Sequence, residues 1–234
     1  MKPPPFEYAC PATLAEAISL LAKSEGTAMP IAGGQSLMPA LAFRLSTPAL
    51  LVDLRRLHDL DGINVTDAGV RLGAMVRWCD IEANGELGEA HPLLVAAVSH
   101  VAHYQIRNRG TIGGSLANAD PAAELPGIAV TCDAEIHVTG PKGARTIAAA
   151  DFILGPLATA LEPDELIVEV SLPPWPSDRR WGFDELSRRR GDYALAGVAM
   201  YYDVDGQGRA MNAHVGVIGA VDRPQRLLEV EAML

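Results

Sequence analysis

RNRGTIGGSLANADPAAELP, Arg107 to Pro126, is the stretch on which the reading of this chain turns, because its residue types suit a bound pyrophosphate better than a protein core. Gly113 and Gly114 lack a Cβ and can take positive φ, so successive backbone N–H groups can converge on an anion and let it approach closely. Thr111, Ser115, Asn118 and Asp120 surround them with short polar side chains able to bond a phosphate, a ribose hydroxyl or the loop's own backbone. A lone Gly-Gly pair in such company is also what ordinary turns are made of. The balance changes with a second loop of the same kind.

That loop is IAGGQSLMPALAFRL, Ile31 to Leu45, where an apolar run ends in Gly33-Gly34 and is followed by Gln35 and Ser36. Two small-residue loops can clamp one diphosphate from two sides. Together, and in this order, the two stretches resemble the signatures of the FAD-binding subunit or domain of the molybdenum hydroxylases, the group that holds carbon monoxide dehydrogenase, xanthine dehydrogenase and related aromatic hydroxylases. The likeness runs from about Pro5 to the last residue. A G-x-G-x-x-G fingerprint is absent, so a Rossmann-type cofactor site is a poor alternative.

The resemblance implies an α+β fold: a two-lobed FAD-binding domain with a small α/β lobe over residues 1–57 and a larger mixed lobe over 58–174. An α+β C-terminal domain then starts at 175 and is incomplete where the sequence stops at Leu234. It also implies FAD as cofactor. Ala32, Gly33, Gly34, Gln35 and Ser36 with Thr111, Gly113, Gly114 and Ser115 would bond the pyrophosphate, while Asn118, Asp120 and Glu124 would lie toward the ribityl, ribose or adenine portions. Within SRRRGDYAL, Ser187 to Leu195, Tyr193 would approach the isoalloxazine ring. Some relatives have Asn where this chain has Ser115, and some carry a Lys near the ring where Phe183-Asp184-Glu185 supplies none.

FAD carries the redox chemistry, so no Ser/His/Asp triad or carboxylate pair is required, and none is evident. The implied role is an electron-transfer subunit. Electrons would leave a molybdenum centre on a large subunit, cross iron–sulfur clusters on a small subunit, and reach this FAD before passing to an external acceptor. The rival readings are a free-standing flavin oxidase or reductase of the same fold, and a non-catalytic FAD-binding assembly protein.

Composition sets the outer limits. The 234 residues are 49% hydrophobic, enough for well-packed cores, and 29 acidic against 19 basic residues give a net charge of −10. With no sustained Lys or Arg run to track a phosphate backbone, nucleic acid is not an expected partner. Cys10, Cys79 and Cys132 are scattered and form no C-x-x-C, so neither an iron–sulfur cluster nor a zinc site is encoded. No apolar run is long enough for a membrane span, and the N-terminus lacks a secretory h-region, which points to the cytoplasm.

Along the chain, Thr13 and Glu16 have capping-box spacing ahead of a helix over about 14–23, and Ala28 to Ala32 reads as a strand entering the first Gly loop. Ala49 to Leu54 reads as a buried parallel strand, and Ile63 to Leu72 as a hairpin. His91-Pro92 opens LLVAAVSHVAHY, expected as one buried helix leading into the second loop; His100 and His103 on it are read as structural rather than as metal ligands. A helix over Leu125 to Cys132, a hairpin over Glu135 to Ile147 and a strand at Glu165 to Leu172 follow. Pro173 to Pro176 marks the expected domain boundary, beyond which Trp181 to Leu186, Ala196 to Val204 and Ala213 to Ile218 read as strands.

Overall fold

The computed structural model describes residues 2–234. Its first lobe runs β1 (Glu7–Ala9), α1 (Leu14–Lys23), β2 (Ala28–Ile31), α2 (Leu37–Ala42) and β3 (Leu50–Asp53), with the strands in a parallel sheet of order β1-β3-β2. Helix α1 begins as the spacing dictates: Thr13 Oγ1 accepts the Glu16 N–H at 3.2 Å and the Glu16 carboxylate accepts the Ala12 N–H at 3.0 Å. Two donors that the first turn would leave orphaned are thereby met. Ala17 and Leu21 then bury against Val52, Leu54 and Leu166, the last of which belongs to the second lobe. Parallel pairing of β2 with β3 delivers the chain at one sheet edge, and from Ile31 it passes directly into Ala32 to Ser36. Carboxyl ends of parallel strands are where such sheets bind ligands.

The second lobe holds β4 (Ile63–Thr66), β5 (Gly69–Gly73), then α3 (Trp78–Ala83), α4 (Gly85–Ala90), α5 (Pro92–Val98), α6 (Tyr104–Arg107), α7 (Ile112–Asn118) and α8 (Glu124–Thr131). β6 (Glu135–Gly140), β7 (Gly143–Ala148), α9 (Ala149–Phe152), β8 (Ile153–Gly155), β9 (Ala158–Thr159) and β10 (Leu166–Leu172) complete it. Five strands form an antiparallel sheet of order β4-β5-β10-β6-β7. Every residue of α8 is buried, which explains its apolar composition on all sides.

The segment LLVAAVSHVAHY is two helices and a turn rather than one helix. Ser99 Oγ donates to the Ala96 carbonyl at 2.7 Å, and Ala102 takes φ 41°. Arg107 Nη1 then donates to the carbonyls of Val101 and Ala102 at 3.0 and 3.3 Å, while its Nε donates to Glu82. A hydroxyl competing for a helical carbonyl and a guanidinium collecting those of the turn stabilise the break.

The last region is an antiparallel sheet of β11 (Arg180–Leu186), β12 (Ala196–Val204), β13 (Ala210–Ile218) and β14 (Gln225–Arg226), in that order, followed by α10 (Leu228–Glu231). It seats on α8 where glycines admit close approach: a Cβ on Gly216 would overlap the Thr131 hydroxyl, and one on Gly127 would overlap the Ile218 side chain. The large hydrophobic cluster of the second lobe continues into it through Ala199 and Tyr201. Arg179 lies over the rings of Trp175 and Tyr201, at 5.0 and 4.3 Å from their centroids, and donates to Asp203 at 2.8 Å. The sheet therefore changes after Pro173 to Pro176 while the packing runs on.

Candidate functional site

Between the first and second lobes lies a cleft of ≈ 640 Å³, within the range of small-molecule and cofactor sites. Ala32, Gly33, Gly34, Gln35, Ser36, Thr111, Gly113, Gly114, Ser115, Asn118, Asp120, Glu124 and Tyr193 all line it. Residues chosen from three separate stretches of sequence are thus brought to one surface. Their roles within it differ from the sequence-based expectation in one respect.

The second Gly-Gly pair is not in a loop and has no positive φ. Thr111 caps α7, its Oγ1 accepting the Gly114 N–H at 3.2 Å, and Gly113 and Gly114 are the second and third residues of that helix. The N–H groups of Ile112 and Gly113 donate to the carbonyls of Val76 and Ala74, both at 2.9 Å, and that of Ser115 to Thr111 at 3.0 Å. These amides are already used by the protein. Gly113 is small because a Cβ would sit 2.7 Å from that of Ala74, and Gly114 leaves the Ala32 methyl in view across the cleft. What this wall still offers is the Thr111 hydroxyl proton and the side chains of Ser115 and Asn118.

The left-handed glycine lies instead in the first loop. Gly34 takes φ 71°, the left-handed conformation that a side chain resists. The N–H groups of Gly33, Gly34, Gln35 and Ser36 donate to no acceptor among the described residues, while Gln35 Nε2 folds back onto the Gly33 carbonyl at 2.9 Å and braces the turn. Among the described residues no Lys or Arg lines this cleft itself, while Arg55 and Arg109 line the adjoining pocket that shares Gly33, Gly34 and Gln35. An anion held there would be met by these consecutive amide dipoles and by the opening turn of α2, as phosphates are at other nests.

Gly33 joins the two walls. A Cβ on it would overlap the Arg109 carbonyl oxygen and lie 2.8 Å from the Gly110 Cα; a Cβ on Gly110 would in turn lie 2.7 Å from the Trp78 indole nitrogen. Neither Gly110 nor Trp78 stood out in sequence, since a residue that packs against another loop leaves no local signature. Nor did Leu161, Glu162 and Pro163, which close the far end of the cleft from the turn before β10.

Several ionisable groups also line the cleft. Tyr193 precedes β12, is 59% exposed, and has its phenol pKa raised by loss of surrounding water and by Asp120, with the Ser36 hydroxyl opposing. Asp120 Oδ1 accepts the Ala122 N–H at 2.9 Å. Glu124, first residue of α8, is only 7% exposed, and burial pushes its carboxyl from an ordinary 4.5 up to about 7, with Glu185 and Asp120 adding to the rise. Arg188, Arg189 and Arg190 are exposed. His100 packs its ring on Phe183 at 5.0 Å and the His103 ring lies against Gly191, in keeping with their structural reading.

These features fit a flavin dinucleotide: a cleft of cofactor size, amides without partners among the described residues, small residues facing them and an aromatic ring. Gly114→Val should lower FAD affinity about tenfold or more, because its branched side chain would reach toward Ala32 and crowd the Thr111 hydroxyl that a Cβ would approach at 2.9 Å. Flavin-free protein should melt within a few degrees of the parent, since the cap at risk contributes about 1 kcal/mol. Unchanged affinity in a fluorescence titration would show that this wall does not touch the cofactor.

The family described as "FAD binding domain in molybdopterin dehydrogenase" matches residues 4–175. The chain is 41% identical over 234 residues to the 6-hydroxypseudooxynicotine dehydrogenase complex subunit alpha of Paenarthrobacter nicotinovorans, a match covering 100% of this chain and 79% of that one. It is 37% identical over 224 residues to the carbon monoxide dehydrogenase medium chain of Afipia carboxidovorans, covering 96% and 77%. Among solved structures, the carbon monoxide dehydrogenase of Hydrogenophaga pseudoflava lacking the Mo-pyranopterin moiety superposes with a TM-score of 0.97 at 35% identity, over 100% of this chain and 81% of that one. Quinoline 2-oxidoreductase from Pseudomonas putida 86 gives 0.92 at 41% identity, over 97% and 78%.

Proposed function

The chain belongs to the FAD-binding domain family of the molybdopterin dehydrogenases, a family of oxidoreductases with FAD as cofactor, and from that premise we propose that it is the FAD-carrying electron-transfer subunit of a heteromeric molybdenum hydroxylase. Its partners would be an iron–sulfur small subunit and a molybdenum-cofactor large subunit, with an external acceptor taking the electrons and the complex lying in the cytoplasm. Within this reading residues 1–57 and 58–174 are the two FAD-binding lobes and 175–234 the start of a third domain.

The observation that carries the proposal is the run of four amides, Gly33 to Ser36, that have no acceptor among the described residues and line the cleft. Bound FAD would supply two-electron chemistry with one-electron exchange. The chain's residues do the rest. Gly33 to Ser36 would hold the diphosphate through the backbone with Ser115 on the opposite side, and Asn118, Asp120 and Glu124 would lie toward the ribityl, ribose or adenine portions. Tyr193 would approach the ring, and its exposed position would leave a path for a partner or acceptor. Among the described residues no three His, Cys, Asp or Glu side chains are grouped to hold a metal ion, and in this reading the wire of clusters lies on the iron–sulfur partner. No helix among them is long and apolar enough to cross a membrane.

The test is anaerobic bleaching of the flavin. FAD-loaded protein alone should keep its colour with aldehydes, purines, N-heterocycles or carbon monoxide, yet be bleached by one of them once the co-purifying subunits are present. Direct bleaching of the isolated chain would make it a free-standing flavin enzyme, and a complex with no substrate-dependent bleaching would make it a non-catalytic FAD carrier.

A further inference from the structure

A second cavity of ≈ 480 Å³ lies against the sheet of the first lobe and shares only Ile31, Gly33, Gly34 and Gln35 with the cleft. Strand register explains where it is. Val52 packs with Ala17 and Leu21 of α1, so Leu51 and Asp53, one residue to either side, turn to the other face of β3. Tyr8 pairs with Leu51 and Ile31 with Asp53 across the parallel sheet, which brings all four to that face. Parallel sheets are ordinarily covered on both faces, whereas here α1 fills one and a hollow bordered by Phe6, Met38 and Pro39 remains on the other.

The polar part of the hollow is built on a buried carboxylate. Asp53 is 1% exposed; its Oδ2 accepts from the Tyr8 hydroxyl at 2.8 Å and from Arg55 Nε at 2.7 Å, and its Oδ1 accepts the Arg55 N–H at 2.9 Å. Phenol and guanidinium are thus fixed side by side, with the Arg55 side chain still 65% exposed. Arg109 enters from the second lobe, its carbonyl against Gly33, and its exposed side chain has no hydrogen bond or ion pair among the described residues. Two guanidinium groups against one carboxylate leave a surplus positive charge beside an apolar floor, in a chain whose net charge is −10.

We propose that this hollow binds a small carboxylate carried on an aromatic or other apolar body, at a site separate from the FAD cleft. The carboxylate pairs with Arg55 and Arg109, whose forked donors match its two oxygens. Its apolar body lies against Phe6, Tyr8 and Leu51 and displaces water from them. A cationic ligand is repelled by both arginines, and the Asp53 oxygens it would seek are already bonded.

The test is a ligand-observed NMR titration of naphthoate against the full chain, run on flavin-free and on FAD-saturated protein. A dissociation constant on the order of 1 mM is expected for a ligand of this size, the same within about twofold in the two forms. Naphthalenemethanol, which keeps the ring and lacks the charge, should bind at least about tenfold more weakly, and Arg109→Gln should weaken naphthoate at least about fivefold. Arg109 is exposed, so this variant should melt with the parent. Naphthoate lost on FAD saturation would place the probe in the cleft and overturn the proposal. Equal binding of the neutral alcohol, unchanged affinity in Arg109→Gln, or no binding at ten times the expected concentration would overturn it too. A protein that binds naphthoate but no FAD would overturn the flavin reading and leave this site standing.

Discussion

Gly33→Ala should abolish useful FAD binding, lowering affinity at least a hundredfold, which is about 3 kcal/mol of binding free energy. The added Cβ would overlap the Arg109 carbonyl oxygen and lie 2.7 Å from its carbon, and both are backbone atoms with no rotamer to escape into. The opposing segment cannot retreat either, because Gly110 is packed against the Trp78 indole, which is buried. The first loop must move instead, carrying the amides of Gly33 to Ser36 away from the second wall. Overpacking of this kind costs about 1–3 kcal/mol, so flavin-free variant should melt several degrees below the parent, at about 2–4 °C per kcal/mol for a chain of this size. Fluorescence titration and thermal melts measure the two effects separately. Parent-like affinity would mean that the contact between the loops is dispensable.

Glu124 gives the second large effect, on stability rather than binding. Its carboxyl has a native pKa of about 7 against an ordinary 4.5, so the native state binds the proton more tightly than the unfolded chain. Below pH 4.5 both states are protonated and the stabilising difference is fully present. As pH rises toward 7 the unfolded carboxyl ionises first, and stability falls by about 1.4 kcal/mol per pH unit, reaching a loss of about 3 kcal/mol before it levels off. Glu124→Gln cannot ionise and should escape this loss. Flavin-free variant should therefore exceed the parent in stability by about 3 kcal/mol at pH 8 and match it near pH 4.5. Taking the difference between the two proteins cancels the opposite slopes of Asp53, Asp80, Asp203 and Glu165, whose pKa values their Arg partners lower. Equal urea midpoints for parent and variant at pH 8 would show that water reaches this carboxyl freely.

Much of the architecture was legible because its causes are local. The Thr13 and Glu16 spacing places the start of α1, the alternation of Ile63, Val65, Val70 and Leu72 places a hairpin, and the apolar residues from Leu125 to Cys132 signal the helix that becomes α8. The break at Ser99 escaped notice since apolar periodicity continues through it. What ends α5 is a serine hydroxyl and an arginine eight residues on, and neither interrupts the pattern.

The cleft shows the same division more sharply. By itself the sequence determined the cofactor family and which residues gather around the site, because the two glycine-rich runs and the segment around Tyr193 are contiguous, with their chemistry carried by residue type. Only the tertiary structure decided which amides are available. Ile112 and Gly113 look as free as Gly33 and Gly34 when read in one dimension, yet carbonyls of Val76 and Ala74, far away in the chain, occupy the first pair and nothing occupies the second. Likewise only packing decides that Gly33 is small for the sake of Arg109 and that Glu185 has a buried carboxyl oxygen without a partner among the described residues. A hydrogen-bond donor or a buried charge is defined by what surrounds it, and those surroundings come from segments that local sequence does not contain.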